Sequence, residues 1–227
     1  MPNETISIPR TVGIIGGTGP AGRAFAARLA GAGIDVAIGS RSVEKAQEAT
    51  SKVLERWPDE SLSIRAVTNE EAALAELVVV ATPWAAAAST AAACADALRG
   101  KVVISMANAI TMIEGELQPV IPARGSISAG VQSAIPGSYV VGAMHHVPAH
   151  ELGDLRRPVG CDVLVCADDP GARASVISLL SQLDGLRPVD AGSLSNAAAI
   201  EAMTAVLLGV NSRYGTRTTI RLVGLPG

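Results

Sequence analysis

Short apolar runs alternate with stretches of helical periodicity along the first hundred residues. Runs rich in Val, Ile and Ala near 11–16, 34–39, 62–67, 76–81 and 101–105 are too short for helices and end in turn-forming residues. Between them, near 21–32, 42–56, 69–75 and 84–98, apolar positions recur three to four residues apart. Continuous apolar strands joined by crossover helices are buried on both faces, so this alternation predicts a parallel sheet with helices on each side. A second series follows, with strands expected at 138–144, 162–166 and 186–190 and helices at 170–183 and 194–210. Asp169-Pro170 has the residues that cap and start the first of these helices, and Ser195 or Asn196 would cap the second. Between the two series, 106–137 carries Pro119, Pro122 and Pro136 with several glycines, and reads as a connection across the mouth of the sheet.

The first apolar run breaks into glycines. Thr11 to Gly22 reads TVGIIGGTGPAG and leads into AFAARLAGAG, with a second strand, IDVAIG, at the spacing of a dinucleotide-binding unit. Gly17 is expected to start the tight turn, Gly19 to let a pyrophosphate approach the backbone, and Gly22 to let the helix pack close to the strand. Thr18, Pro20 and Ala21 complete the loop, where free amides and the helix dipole favour phosphate. At the end of the second strand an NAD enzyme usually keeps an acidic residue. Here Ser40 and Arg41 occupy that place, with Lys45 one helical turn on, a set suited to a ribose 2′-phosphate. NADP(H) is therefore the expected ligand. The fold class that follows is α/β, a Rossmann-type doubly wound parallel sheet with a small C-terminal α/β lobe. The expected division is a loose tail at 1–10, a nucleotide-binding domain at 11–137, and a lobe at 138–227 that forms a second pocket.

Composition narrows the alternatives. A chain of 227 residues can bury about 70% of its unfolded surface, enough for one compact unit. The net charge of −3 and the lack of a basic block argue against nucleic acid as a partner. Cys94, Cys161 and Cys166 have no metal-site spacing and fit a reducing, cytoplasmic setting as buried thiols. The apolar stretch 77–93 is interrupted by Thr82, Pro83, Ser89 and Thr90, and reads as a strand plus an alanine-rich helix rather than a membrane span. His146 and His150 have the i, i+4 spacing of helical zinc ligands, but Pro148 between them argues against a shared helical face, so no metal site is expected.

Ligands of open α/β sheets sit at the carboxyl ends of the strands. Those ends here are Ala81-Thr82-Pro83-Trp84, Ser105-Met106-Ala107-Asn108 and His145-His146-Val147-Pro148. With them in view, the chain resembles the coenzyme F420-dependent NADP oxidoreductases. The resemblance rests on GIIGGTGPAG, GSR with Lys45, ATPW at 81–84, AMHHVPA at 143–149, LDGLRPVDAGSLSN at 183–196, and Glu201 with Thr204. It implies hydride transfer between NADP(H) and the deazaflavin coenzyme F420, a homodimer, and no acid–base residue in the protein, since both reactive centres belong to cofactors. It implies that Thr18 to Ala21 hold the pyrophosphate and that Ser40, Arg41 and Lys45 hold the 2′-phosphate. Thr82, Pro83 and Ala149 would lie beside the nicotinamide, and His145, Val147 and Thr204 would line the deazaflavin pocket. Three places depart from the family pattern: Ala202-Met203 where it has Ser-Leu, His146 where threonine is common, and MANAITM after the fifth strand.

Structural roles compete at several positions. His145 also reads as a satisfied structural histidine, Thr204 as a helix threonine bonded to its own carbonyls, and Trp84 as lobe packing. Arg213, Arg217 and Arg221 read as a solvated face or dimer contact more readily than as a guide for an acidic tail. A reductase of another small substrate, such as a flavin or an imine, and a non-catalytic NADP(H) sensor are the other functional readings.

Overall fold

A computed structural model of the chain describes residues 8–225. Residues 1–7 of the expected tail lie outside the described residues. Six strands form the main sheet: β1 (Thr11–Ile15), β2 (Asp35–Ser40), β3 (Ile64–Thr68), β4 (Leu77–Val80), β5 (Val102–Ser105) and β8 (Tyr139–Gly142). Their order is β3-β2-β1-β4-β5-β8 and every pairing is parallel. The chain builds outward from β1 in one direction and then, starting from β4, in the other. The order therefore reverses between β1 and β4, where a crevice opens at the carboxyl ends of an α/β sheet.

The helices cover both faces, as the alternation predicted. On one face the core gathers Ile14, Phe25, Leu29, Ile38 and Val79 with Val163 and Leu179; on the other it gathers Val78, Val80, Ala87, Leu98, Val131 and Ile200. Five aromatic residues in the whole chain leave that core to alanine and branched aliphatics, so helices and sheet approach closely. Helices α1 (Pro20–Gly31), α2 (Val43–Arg56) and α3 (Asn69–Ala72) follow the first three strands. Thr68 caps α3 in a capping box, its hydroxyl accepting from the Glu71 amide while Glu71 accepts from the Thr68 amide.

The structure differs from the sequence reading in five places. The helix expected at 84–98 is two, α4 (Trp84–Ala93) and α5 (Ala95–Leu98), broken at Cys94. The connection at 106–137 holds a hairpin, β6 (Ile110–Ile113) and β7 (Glu116–Pro119), and a helix, α6 (Ile127–Ala134). Short apolar segments between prolines carry too little periodicity to reveal either. The strand expected at 138–144, where the C-terminal lobe was to begin, pairs with β5 and completes the main sheet. After the short α7 (Ala149–Leu152), strands β9 (Cys161–Val165) and β10 (Leu186–Asp190) form a parallel pair around α8 (Pro170–Leu180). An antiparallel bridge between Gly142 and Cys166 joins this pair to β8. Asp169 caps α8, accepting from the Ala172 amide at 2.7 Å. The last helix, α9 (Ala197–Tyr214), outruns its expected end, and neither Ser195 nor Asn196 caps it with a side chain. Asn196 instead donates to the Ala191 carbonyl.

Candidate functional site

β1 ends in a loop that turns directly into α1. Gly16, not Gly17, takes the left-handed turn, with φ at 67°, and a Cβ there would collide with the Thr82 methyl. Gly17 instead ties the loop down: its amide is shared between the Ile14 and Gly39 carbonyls at 3.2 and 3.1 Å. A Cβ added at Gly22 would sit 2.6 Å from the Gly17 carbonyl oxygen, so the first turn of α1 lies against the loop at backbone contact. A Cβ at Gly19 would meet nothing within 4 Å. That open face, beside amides with no partner inside the helix, has the shape a pyrophosphate requires.

The second strand ends at Ser40, which is buried; its hydroxyl accepts from the Ser42 amide. Arg41 and Lys45 are exposed, and neither side chain has a bonding partner among the described residues. Ser42 caps α2, accepting from the Lys45 amide. A cavity of about 190 Å³ is lined by Thr18, Arg23, Lys45, Glu48 and Lys52, so loop and α2 share one mainly basic hollow. Thr82 and Pro83 stand across the crevice at the end of β4, with the Thr82 hydroxyl buried and unpartnered. Ala149 starts α7 and shares a larger cavity with Pro20. Trp84, 38% exposed, begins α4.

His145 follows Met144, a non-glycine residue held at φ 67° and fully enclosed. Such a conformation persists only where the surroundings enforce it. The His145 ring turns inward toward Gly142, where a Cβ would lie 3.2 Å from its Nε2, 3.2 Å from the Ser128 hydroxyl and 3.0 Å from the Cys166 sulfur. Neither ring nitrogen has a hydrogen-bond partner, and burial drives its pKa down to about 3. The ring is thus neutral at any physiological pH. It is the His145 carbonyl that is held, accepting from Asn108 Nδ2 at 2.7 Å and from the Thr204 hydroxyl at 3.1 Å. Thr204 bonds across to this turn rather than back to its own helix. Val147 is half-buried against the core. His146 Nε2 meets the Asp162 carbonyl oxygen at 2.8 Å, while His150 lies on α7 beside Glu151, so the two histidines share no helical face.

Three residues that the sequence reading missed hold this arrangement. Asn69 Oδ1 accepts from the Gly16 amide at 3.0 Å, fixing the phosphate loop from the end of β3; the Thr68–Glu71 capping box is the signal that pointed there. Arg28, buried on α1, donates to the carbonyls of Leu152, Glu151, Asp154 and Arg157 and so fastens α7 and the following loop. Asn108 had only its strand-end position to mark it. Glu201 braces another helix. Its carboxylate accepts from the Ile127 and Ser128 amides and the Ser128 hydroxyl, at 2.7, 3.0 and 2.8 Å, and closes the N-terminus of α6.

Sheet order, phosphate loop and a basic second-strand end define a dinucleotide-binding α/β protein of the Rossmann type. Comparison with known sequences takes this further. Residues 11–109 match the family described as NADP oxidoreductase, coenzyme F420-dependent. The F420-dependent NADP reductase of Methanocaldococcus jannaschii is 36% identical over 220 residues, spanning 94% of this chain and 98% of that one. That of Methanothermobacter thermautotrophicus is also 36% identical, over 95% of each chain. A crystal structure from Arthrobacter sp. FB24, provisionally described as an F420-dependent NADP reductase, superposes with a TM-score of 0.78 at 26% identity, covering 94% of this chain and all of that one. The chain belongs to the F420-dependent NADP oxidoreductase family.

Proposed function

We propose that this protein transfers hydride directly between NADP(H) and F420. What carries the reading is the 36% identity to F420-dependent NADP reductases over 94% of the chain, which takes in the second pocket as well as the nucleotide loop. When bound, NADPH supplies hydride from C4 and the oxidised deazaflavin accepts it at C5 with one proton from water. The residues present fit such ligands: Gly19 leaves open space at a helix start, and no acidic residue lines the cavity beside Lys45 except Glu48, which is paired with Lys52.

In this reading the loop from Gly17 through Thr18, Gly19, Pro20 and Ala21 to Gly22 takes the pyrophosphate. Ser40, Arg41 and Lys45 take the 2′-phosphate. Thr82, Pro83 and Ala149 flank the nicotinamide. The turn of His145 and Val147, braced by Thr204, forms the wall behind the deazaflavin. Burial keeps His145 neutral, with its pKa near 3, and lowers that of His146. A pocket without a titrating base suits hydride transfer, where proximity and orientation supply most of the acceleration.

A homodimer and a cytoplasmic location belong to the same proposal. Residues 194–214 are long and apolar enough to cross a membrane, with mean hydropathy 1.3 and a third of the segment buried. Val206 and Val210 on α9, with Met112 and Leu117 on the neighbouring hairpin, line one open apolar hollow that a second copy would cover. The deciding experiment mixes the protein with NADPH and oxidised F420 and follows loss of the deazaflavin's visible absorbance. Bleaching at enzymatic rates supports the proposal. Turnover only with a flavin or an imine, or tight NADPH binding without any acceptor, overturns it.

A further inference from the structure

α7 is a helix of four residues with no side chain capping its N-terminus, and a helix that short does not persist on its own hydrogen bonds. Its position is set from outside. Gly153, just past its end, lies on α1, where a Cβ would come within 3.2 Å of the Ala24 Cβ. Two residues on, Leu155 packs against Ala27 and Trp57. Beside them the Arg28 guanidinium donates to the carbonyls of Leu152, Glu151, Asp154 and Arg157 at 2.9, 3.1, 2.7 and 3.2 Å. Arg28 is 4% exposed, and Asp154 and Asp184 act on it as neighbouring charges rather than as bonded partners. Its N–H groups are thus directed at backbone alone. For stability by itself that is a costly choice, because an apolar side chain of similar size would avoid the desolvation of a guanidinium. What the guanidinium secures is a shape, since its rigid fork of donors matches one arrangement of those four carbonyls.

The elements on either side of this clasp are the two that a hydride transfer would use. The opening shaped for the pyrophosphate lies at the first turn of α1, about two turns before Arg28. The chain that enters α7 is the run from His145 to Ala149, held at its front by Asn108 and Thr204 on the His145 carbonyl. Val147, Pro148 and Ala149 lie between the two points of attachment. We propose that Arg28 is a positioning residue for hydride transfer: by locking α7 to α1, it makes the helix that holds the NADP(H) pyrophosphate also fix where Val147 and Ala149 stand against the two rings. The proposal rests on the hydride-transfer reading above and adds to it the device that sets the distance between donor and acceptor.

The full-length protein is compared as wild type, Arg28→Lys and Arg28→Ala. Lysine keeps the charge but is a point donor that cannot span the four carbonyls. With turnover counted per NADPH-binding site, kcat for F420 reduction should fall in both variants, by up to about a hundredfold for an ångström-scale misplacement. The NADPH dissociation constant should stay within about twofold of wild type. NADPH deuterated at the transferred position should show a larger isotope effect on kcat than in wild type, because the hydride step then limits turnover. Free guanidinium, below denaturing concentration, should restore part of the kcat lost in Arg28→Ala, and methylammonium should not. A merely structural role would lower Tm and the number of binding sites while leaving kcat per site and the isotope effect unchanged; that result overturns the proposal. A second readout needs no turnover. NADPH should slow hydrogen exchange at 149–157 in the wild type and fail to do so in Arg28→Lys. Equal slowing in both overturns the proposal. Slowing lost in Arg28→Lys, with a wild type that does not reduce F420, would uphold the link between α1 and α7 and refute the hydride-transfer reading.

Discussion

Glu201 offers the sharpest test of how the second half of the molecule is held together. Its carboxylate is 5% exposed, has no cationic partner among the described residues, and accepts three hydrogen bonds from the start of α6. Replacing it with alanine strands the Ile127 and Ser128 amides in the interior. Each buried donor left unsatisfied costs about 1–3 kcal/mol. Against this stands the desolvation of a carboxylate, whose removal is favourable and which already pushes the Glu201 pKa upward. The net expectation for Glu201→Ala is a loss of about 2–4 kcal/mol, equivalent to roughly 5–15 °C in Tm for a chain of this length. Glu201→Gln keeps the shape but turns an amide group toward an N–H donor, and should lose about 1–2 kcal/mol.

A pH arm isolates the charge. Because the folded pKa lies above the unfolded value of about 4.5, the folded state holds the proton more tightly. The stability contributed by this group is therefore complete below pH 4.5 and falls as pH rises through the folded pKa. The glutamine variant should lack that decline. Urea unfolding followed by circular dichroism between pH 4 and 8 measures both effects. An alanine variant within 0.5 kcal/mol of wild type, or a glutamine variant with an unchanged pH profile, would refute the assignment of Glu201 as the brace of α6.

Further predictions follow from the same contacts. Arg41→Ala should weaken NADPH binding by about tenfold to 150-fold while leaving NADH nearly unaffected, since one charge-assisted bond contributes about 1.5–3 kcal/mol; equal losses by calorimetry would refute the 2′-phosphate role. Arg28→Leu abandons four carbonyls and should cost about 2–4 kcal/mol, since a buried acceptor left without a donor costs about 1–3 kcal/mol, with hydrogen exchange rising first in 149–157. Gly19→Ala should leave Tm unchanged yet weaken NADPH, whereas Gly22→Ala should lower both, because only the latter methyl meets the Gly17 carbonyl. His145, with a folded pKa of about 3 against 6.5 unfolded, adds stability above pH 6.5 that is lost as pH falls toward 3. His145→Phe should flatten that acid limb in a pH series of thermal melts.

The sequence alone determined the periodic layers of this protein and the chemistry of its nucleotide end. Strand and helix periods differ, and a glycine that must lack a Cβ leaves a mark that survives without coordinates, as at Gly22. Arg41 and Lys45, proposed for the 2′-phosphate, rest on the same kind of signal, charge type at a fixed distance from a strand end, and the structure leaves both exposed. The tertiary structure alone decided which glycine makes the turn, because the collision of Gly16 with Thr82 joins residues far apart in the chain. It also decided that β8 belongs to the main sheet, a matter of pairing rather than of pattern. It turned the His145 ring inward and left its carbonyl for Thr204 and Asn108, three residues from three separate elements. Hydrogen bonds over such separations, like those of Asn69, Arg28 and Glu201, depend on where elements pack, and no local period records that.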